Sequence, residues 1–134
     1  MELIPQRPPF TMVDDLIHFD DECGIATFLI RADNLMLEDG MLSEAGAMEN
    51  MAQACAAWIG YYNKMNSLSV KIGVIGAMKD VHVHRLPKVG KTIKTEIRKT
   101  MDTFYDNMML FDAKITMEDC VIVEGILKVA VLDS

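Results

Sequence analysis

Residues 43–62 read SEAGAMENMAQACAAWIGYY, and the fold turns on them. Ser43 is a natural N-cap, and Glu44 sets an anion in the first turn, where the helix dipole favours it. The pattern predicts one helix from there to about Tyr62, ended by NKMNS. Small residues at Ala45, Gly46, Ala47, Ala52, Ala54, Ala56 and Ala57 let other backbone approach on several sides. A helix this apolar nearly all round is predicted to be buried. Between Glu44 and Lys64 its only charged residue is Glu49. Removing a carboxylate from water costs several kcal/mol unless partners or protonation relieve it, so Glu49 is either paired or functional.

Working outward, the segments on both sides are extended. MELIPQRPPF has three prolines within nine residues and predicts an extended or turn-like start. MVDDLIHFD and ECGIATFLIRA, separated by DDE, read as a hairpin, and ADNLMLEDGML is a turn-rich connection to the helix. After the helix come SVKIGVIGAMKDVHVHR, TIKTEIRKT, FYDNMMLFDAKITM and CVIVEGILKVAVLD, joined by LPKVGK, MDT and MEDC. Two strands, one buried helix and about four further strands make an α+β pattern, an antiparallel sheet wrapped around a single helix. With no repeat, low-complexity tract or linker, residues 1–134 read as one domain. Such a sheet leaves an edge and an apolar flank, which pairing between subunits would cover.

Composition narrows the function classes. A formal charge of −7 argues against nucleic acid as a partner. Glu49, Asn50 and Gln53 interrupt the longest apolar-rich stretch, so no membrane span is expected, and no secretion signal opens the chain. Cysteines at 23, 55 and 120 are odd in number and far apart, which predicts buried thiols in a reducing cytoplasm. Twelve methionines suit either an adaptable core or a pocket for a long apolar ligand, and Met48 and Met51 lie on the helix itself.

Three segments, in order and correctly spaced, carry a resemblance. IPQRPPFTMVDDL (4–16) is similar to Leu-Pro-His-Arg-x-Pro-Phe followed by apolar residues and Val-Asp. GAMENMAQACA (46–56) matches Glu-x-x-Ala-Gln, and GVIGAMKDVHVHRLPKVGKT (73–92) resembles Phe-x-Arg-x-Val-x-Pro-Gly-Asp. Together they resemble the hot-dog 3-hydroxyacyl-[acyl carrier protein] dehydratases, in particular the short dehydratase-like proteins of polyketide and aryl-polyene pigment clusters.

The resemblance implies removal of water from a 3-hydroxyacyl thioester, with Glu49 as the acid/base and a tunnel at a dimer interface. Burial would favour the neutral acid form of Glu49, which suits a group that must hand over a proton. Gln53 lies one turn on and would orient Glu49 at the substrate site, while backbone N–H groups near Ser43, Glu44 and Ala45 would polarise the thioester oxygen. No cofactor and no metal are implied. The partners implied are an acyl carrier protein or coenzyme A thioester and a second subunit, either a copy or a histidine-bearing relative.

The chain departs from the family at one place. The usual His-Phe-Pro-Gly, fourteen residues before the carboxylate, is absent, and Leu35 stands there. Asn34 is the nearest polar residue; it can donate a hydrogen bond but cannot take a proton as imidazole does. Glu44, which replaces the glycine of that turn, is expected to face outward. His18 reads as a half-buried strand residue. His82 and His84 share a strand face at a spacing that can hold a metal, but no third ligand accompanies them.

An Asn34–Glu49 pair is compatible with a hot-dog thioesterase, and a lone carboxylate with a non-catalytic acyl-binding subunit or one half of a shared site. Eight of the thirteen basic residues fall between Lys71 and Lys99, so Arg85, Lys88 and Lys91 are candidates for docking an acidic carrier protein. The alternative is a solvated strand face, where lysines discourage edge pairing.

Overall fold

The computed structural model describes residues 2–67, 71–103 and 107–133. Four short elements precede the helix: β1 (Asp15–Phe19), β2 (Cys23–Leu29), β3 (Leu37–Glu38) and β4 (Met41–Leu42). Then come α1 (Glu44–Met65), β5 (Lys71–Val83), β6 (Thr92–Thr103), β7 (Met108–Met117) and β8 (Cys120–Asp133). Six strands form one antiparallel sheet in the order β1-β2-β6-β7-β8-β5. The sheet wraps α1, which is the α+β hot-dog arrangement. Residues Ser69 and Val70, read as the start of the fifth strand, and Phe104 to Asp106, read as the start of the seventh, lie outside the described residues.

The period-two pattern explains the core. Ala26 and Phe28 of β2, Ile93, Thr95 and Ile97 of β6, Phe111, Ala113 and Ile115 of β7, and Val123, Leu127 and Val129 of β8 are all buried. Against them α1 packs Ala47, Met51, Ala54, Cys55, Trp58 and Ile59. The helix starts where the sequence says it should, since the Ser43 hydroxyl accepts from the Gly46 N–H at 3.1 Å. It runs one turn past Tyr62, to Met65.

Burial of α1 is incomplete, contrary to the reading of an apolar cylinder. Ala45 is exposed, and Met48, Glu49, Ala52 and Ala56 are only half-buried. These positions recur every three or four residues, so they form one stripe along the helix. The strands of one chain do not close over this side.

The proline-rich start forms a strap across the helix. Ile4, Met12 and Val13 are buried, and Leu3 lies so near the helix that a Cβ on Gly60 would sit 2.4 Å from its carbonyl oxygen. The β3–β4 hairpin, turned through Asp39 and Gly40 at positive φ, docks on the loop between β5 and β6. Leu42 donates to the Pro87 carbonyl at 2.8 Å and Val89 to that of Gly40 at 3.0 Å.

Candidate acyl-thioester site

Glu49 lies on the open stripe of α1, and its surroundings are built by the strap. Gln53, one turn on and 1% exposed, donates from Nε2 to Glu49 Oε1 at 2.9 Å. The same Nε2 donates to the Phe10 carbonyl at 3.0 Å, and Gln53 Oε1 accepts the Met12 N–H at 2.6 Å. Both amide hydrogens of Gln53 are therefore committed within the chain. Gln53 is hydrogen-bonded to Glu49 and has no donor left for a further partner.

Two further buried polar groups complete the arrangement. Asn50 donates from Nδ2 to the Met12 carbonyl at 2.7 Å, and Thr95 Oγ1 of β6 donates to Asn50 Oδ1 at 2.5 Å. Sequence reasoning missed this pair. The available signal was a polar residue in an apolar helical run and a threonine at an inward strand position.

Asn34 is placed on the other side of Met12. Its Oδ1 accepts the Met36 N–H at 2.8 Å, an Asx-type turn, and its Nδ2 meets Met12 Sδ at 3.4 Å. Among the described residues no hydrogen bond joins Asn34 to Glu49. Asn34 borders an open cavity of about 590 Å³, together with Arg7, Thr11, Asp14, Phe28 and Arg31. Glu49 does not line that cavity, so one chain does not bring the suggested polar pair together.

At the helix start Ser43 is buried and spent on its cap, while Glu44 and Ala45 are exposed. The Glu44 and Ala45 N–H groups have no protein acceptor among the described residues, as expected for the first turn. Arg85, Lys88 and Lys91 surround Glu118, with Lys91 Nζ 2.5 Å from its carboxylate. Lys91 holds the Glu118 carboxyl below the usual range, through its hydrogen bond and then its charge, with Arg85 and Lys88 adding to it. The β3–β4 contacts set this basic turn beside the helix start.

Strand pairing sets one cation of the longer basic stretch opposite a carboxylate. Arg98 stands opposite Asp112, and Glu96, Lys114, Glu124 and His82 form one row of alternating charge across the sheet. In register Lys79, Lys94 and Lys99 stand opposite Ile126, Thr116 and Phe111, and the turn is where Arg85, Lys88 and Lys91 gather. The Lys71 side chain lies outside the described residues.

None of the three histidines reaches the site. His18 is exposed rather than half-buried, because it caps the end of β1 on Asp20 at 3.0 Å. His82 and His84 are exposed with ring centroids 6.4 Å apart. Cys23 and Cys55 are buried as expected, but Cys120 is exposed because it follows the β7–β8 turn. No helix among the described residues is long and apolar enough to cross a membrane.

A family model described as ApeP-like, the ApeP dehydratases, matches residues 1–133. The chain belongs to the ApeP-like dehydratase family. No curated protein sequence matches it significantly. Among solved structures it resembles the dehydratase heterocomplex ApeI:P from Xenorhabdus doucetiae, with TM-score 0.86 and 19% identity over 98% of this chain and 88% of that one. A mutant thioesterase from Staphylococcus aureus aligns with TM-score 0.70 and 16% identity, over 88% of this chain and 92% of that one. A Streptococcus mutans protein bound to acetyl CoA aligns with TM-score 0.69 and 14% identity, over 90% of this chain and 89% of that one. At these identities the three likenesses establish the hot-dog fold. Membership of the ApeP-like family rests on the sequence match, which takes in the strap, the helix and every strand of the sheet.

Proposed function

We propose that this chain supplies the carboxylate half of a 3-hydroxyacyl-thioester dehydratase site shared with a histidine-bearing hot-dog relative in a mixed dimer. The observation that carries the reading is Glu49, aimed by Gln53 on a helix side that its own strands leave open, in a chain whose histidines lie elsewhere. Dehydration needs a base to remove the C2 proton and an acid to protonate the departing 3-hydroxyl. Imidazole from the partner takes the C2 proton. Glu49 delivers the proton to the hydroxyl, which leaves as water while the C2–C3 double bond forms. The Glu44 and Ala45 N–H groups polarise the thioester oxygen and stabilise charge that develops on it.

The heterocomplex named for the Xenorhabdus doucetiae structure supports a mixed pair, and the Streptococcus mutans protein shows that this fold can hold an acyl thioester. The Arg85, Lys88 and Lys91 turn, next to the helix start, suits an acidic acyl carrier protein or the phosphates of coenzyme A. The second reading is thioester hydrolysis, in which half-exposed Glu49 activates water. A thioesterase of similar fold favours it as the alternative.

The test is interconversion of a 3-hydroxyacyl- and enoyl-carrier-protein pair by the chain alone and with a histidine-bearing relative, each with wild type and Glu49→Gln. Interconversion only in the mixture, lost in Glu49→Gln, is the expected result. Release of free acid moves the chain to hydrolysis. Full activity with Glu49→Gln removes the carboxylate from the mechanism.

A further inference from the structure

The hydrogen bonds around Met12 form a directed series. Thr95 Oγ1, 0% exposed on β6, donates to Asn50 Oδ1. The Met12 carbonyl, which can only accept, turns Asn50 Nδ2 toward it, and the Thr95 hydroxyl then satisfies the buried Asn50 Oδ1. With its carbonyl so held, Met12 presents its N–H to Gln53 Oε1, which turns Gln53 Nε2 toward the Phe10 carbonyl and Glu49 Oε1. The Met12 backbone groups set both amides, and the bonds run unbroken from Thr95 in the middle of the sheet to the carboxylate on the open stripe.

We infer that Thr95 and Asn50 are positioning residues for Glu49, acting through Met12 and Gln53. The inference rests on the proposed role of Glu49 and adds two residues that touch neither substrate nor the reacting atoms. Asn50 is 1% exposed inside an apolar helix and Thr95 replaces what an inward strand position ordinarily holds. Packing alone is served as well by apolar groups of the same shape, so the pair costs burial of polar atoms without strengthening the core. What it adds is a single orientation for the strap at residues 10–12, and with it a single direction for the Glu49 carboxyl group.

The series also accounts for why the strap crosses at this height. Carbonyl and N–H of the same residue, Met12, are held by two helix side chains one turn apart, Asn50 and Gln53. A slip of the strap by one residue breaks both bonds and releases the Gln53 amide from the partners that set its direction. The arrangement is therefore a register lock as well as an orienting series.

Thr95→Val keeps the side-chain shape and removes the hydroxyl, whereas Thr95→Ser keeps the hydroxyl and removes a methyl. The assay is dehydration of 3-hydroxybutyryl-[acyl carrier protein] by the mixed dimer, with kcat and KM measured separately. Thr95→Val is expected to lower kcat about 10- to 100-fold, the order expected for misplacement of about 1 Å, with KM unchanged, and Thr95→Ser to restore most of the rate. In a Glu49→Gln background Thr95→Val should have no further effect, because its action passes through Glu49. Exchange of the Met12 amide proton, read by NMR, should quicken in Thr95→Val and not in Thr95→Ser.

The reverse order, with Thr95→Ser impaired and Thr95→Val unchanged, makes Thr95 a packing residue and overturns the inference. So does a Thr95→Val loss that multiplies fully with that of Glu49→Gln. If Glu49→Gln equals wild type, the reading of Glu49 falls and this inference falls with it. If Glu49→Gln is inactive while Thr95→Val is unchanged, only the positioning role is lost.

Discussion

Gly60→Ala tests how the strap is held. A Cβ at position 60 would lie 2.4 Å from the Leu3 carbonyl oxygen and 3.3 Å from its carbon. Both are backbone atoms, so no rotamer change relieves the contact, and the strap must withdraw by roughly 1 Å to reach ordinary separation. In an open helix the same substitution is worth about 1 kcal/mol of stability. Overpacking against backbone costs about 1–3 kcal/mol. Lifting the strap also loosens Ile4, 2% exposed, whose full burial contributes about 1.5–3 kcal/mol. The net expectation is a loss of about 1–2 kcal/mol, or a Tm lower by roughly 3–8 °C in a domain of this size.

The assay is thermal unfolding followed by circular dichroism, run on the full chain and on a chain lacking residues 1–4. Removing Leu3 removes the obstacle, so in the shortened chain Gly60→Ala should raise Tm. The sign of the effect thus reverses between the two backgrounds. A full-length Gly60→Ala that melts at or above wild type refutes the reasoning, since helix propensity would then have outweighed any contact with the strap.

Four other outcomes are expected. Ser43→Ala removes the acceptor for the Gly46 N–H and should cost about 1 kcal/mol by urea denaturation; an unchanged midpoint would show that the cap contributes nothing. Gln53→Leu leaves the Met12 N–H and Phe10 carbonyl unpaired and should cost about 1–3 kcal/mol, and wild-type stability would mean that the strap does not depend on this amide. Iodoacetamide at pH 8 should label Cys120 first; burial raises the Cys55 thiol far above its ordinary range and raises that of Cys23, so at a fixed pH both hold less thiolate. Mass spectrometry showing Cys55 modified as fast as Cys120 in folded protein would contradict its burial. Lys88→Glu should raise KM for a carrier-protein thioester and leave that for a short pantetheine thioester unchanged, whereas equal effects on both would remove the turn from carrier docking.

Much of the fold was legible because its signals are local. Ser43 is a cap by its own chemistry, and the extended segments are marked by their residue types and the turn residues between them, without knowledge of the partner strands. The site was less legible. Glu49 and Gln53 could be paired from helical spacing, but Gln53's other bonds go to Phe10 and Met12, more than forty positions away in sequence. Thr95 and Asn50 are ordinary residues until the sheet closes on the helix. The basic stretch illustrates the opposite error. Eight cations close in sequence do not form one surface: Arg98 meets Asp112 from another strand, while Arg85, Lys88 and Lys91 gather in a turn.

By itself, then, the sequence determined the order of helix and main strands, the helix start and the identity of the lone helical carboxylate, because each depends on spacing along one chain and on side-chain chemistry. Tertiary structure decided which side of α1 stays open, where the strap crosses, and that Asn34 and Glu49 do not meet in one chain. Those features depend on strand order and register, which bring together groups whose separation in sequence carries no local mark. The amide beside Glu49 finds its other partners, Phe10 and Met12, only when the strap crosses the helix.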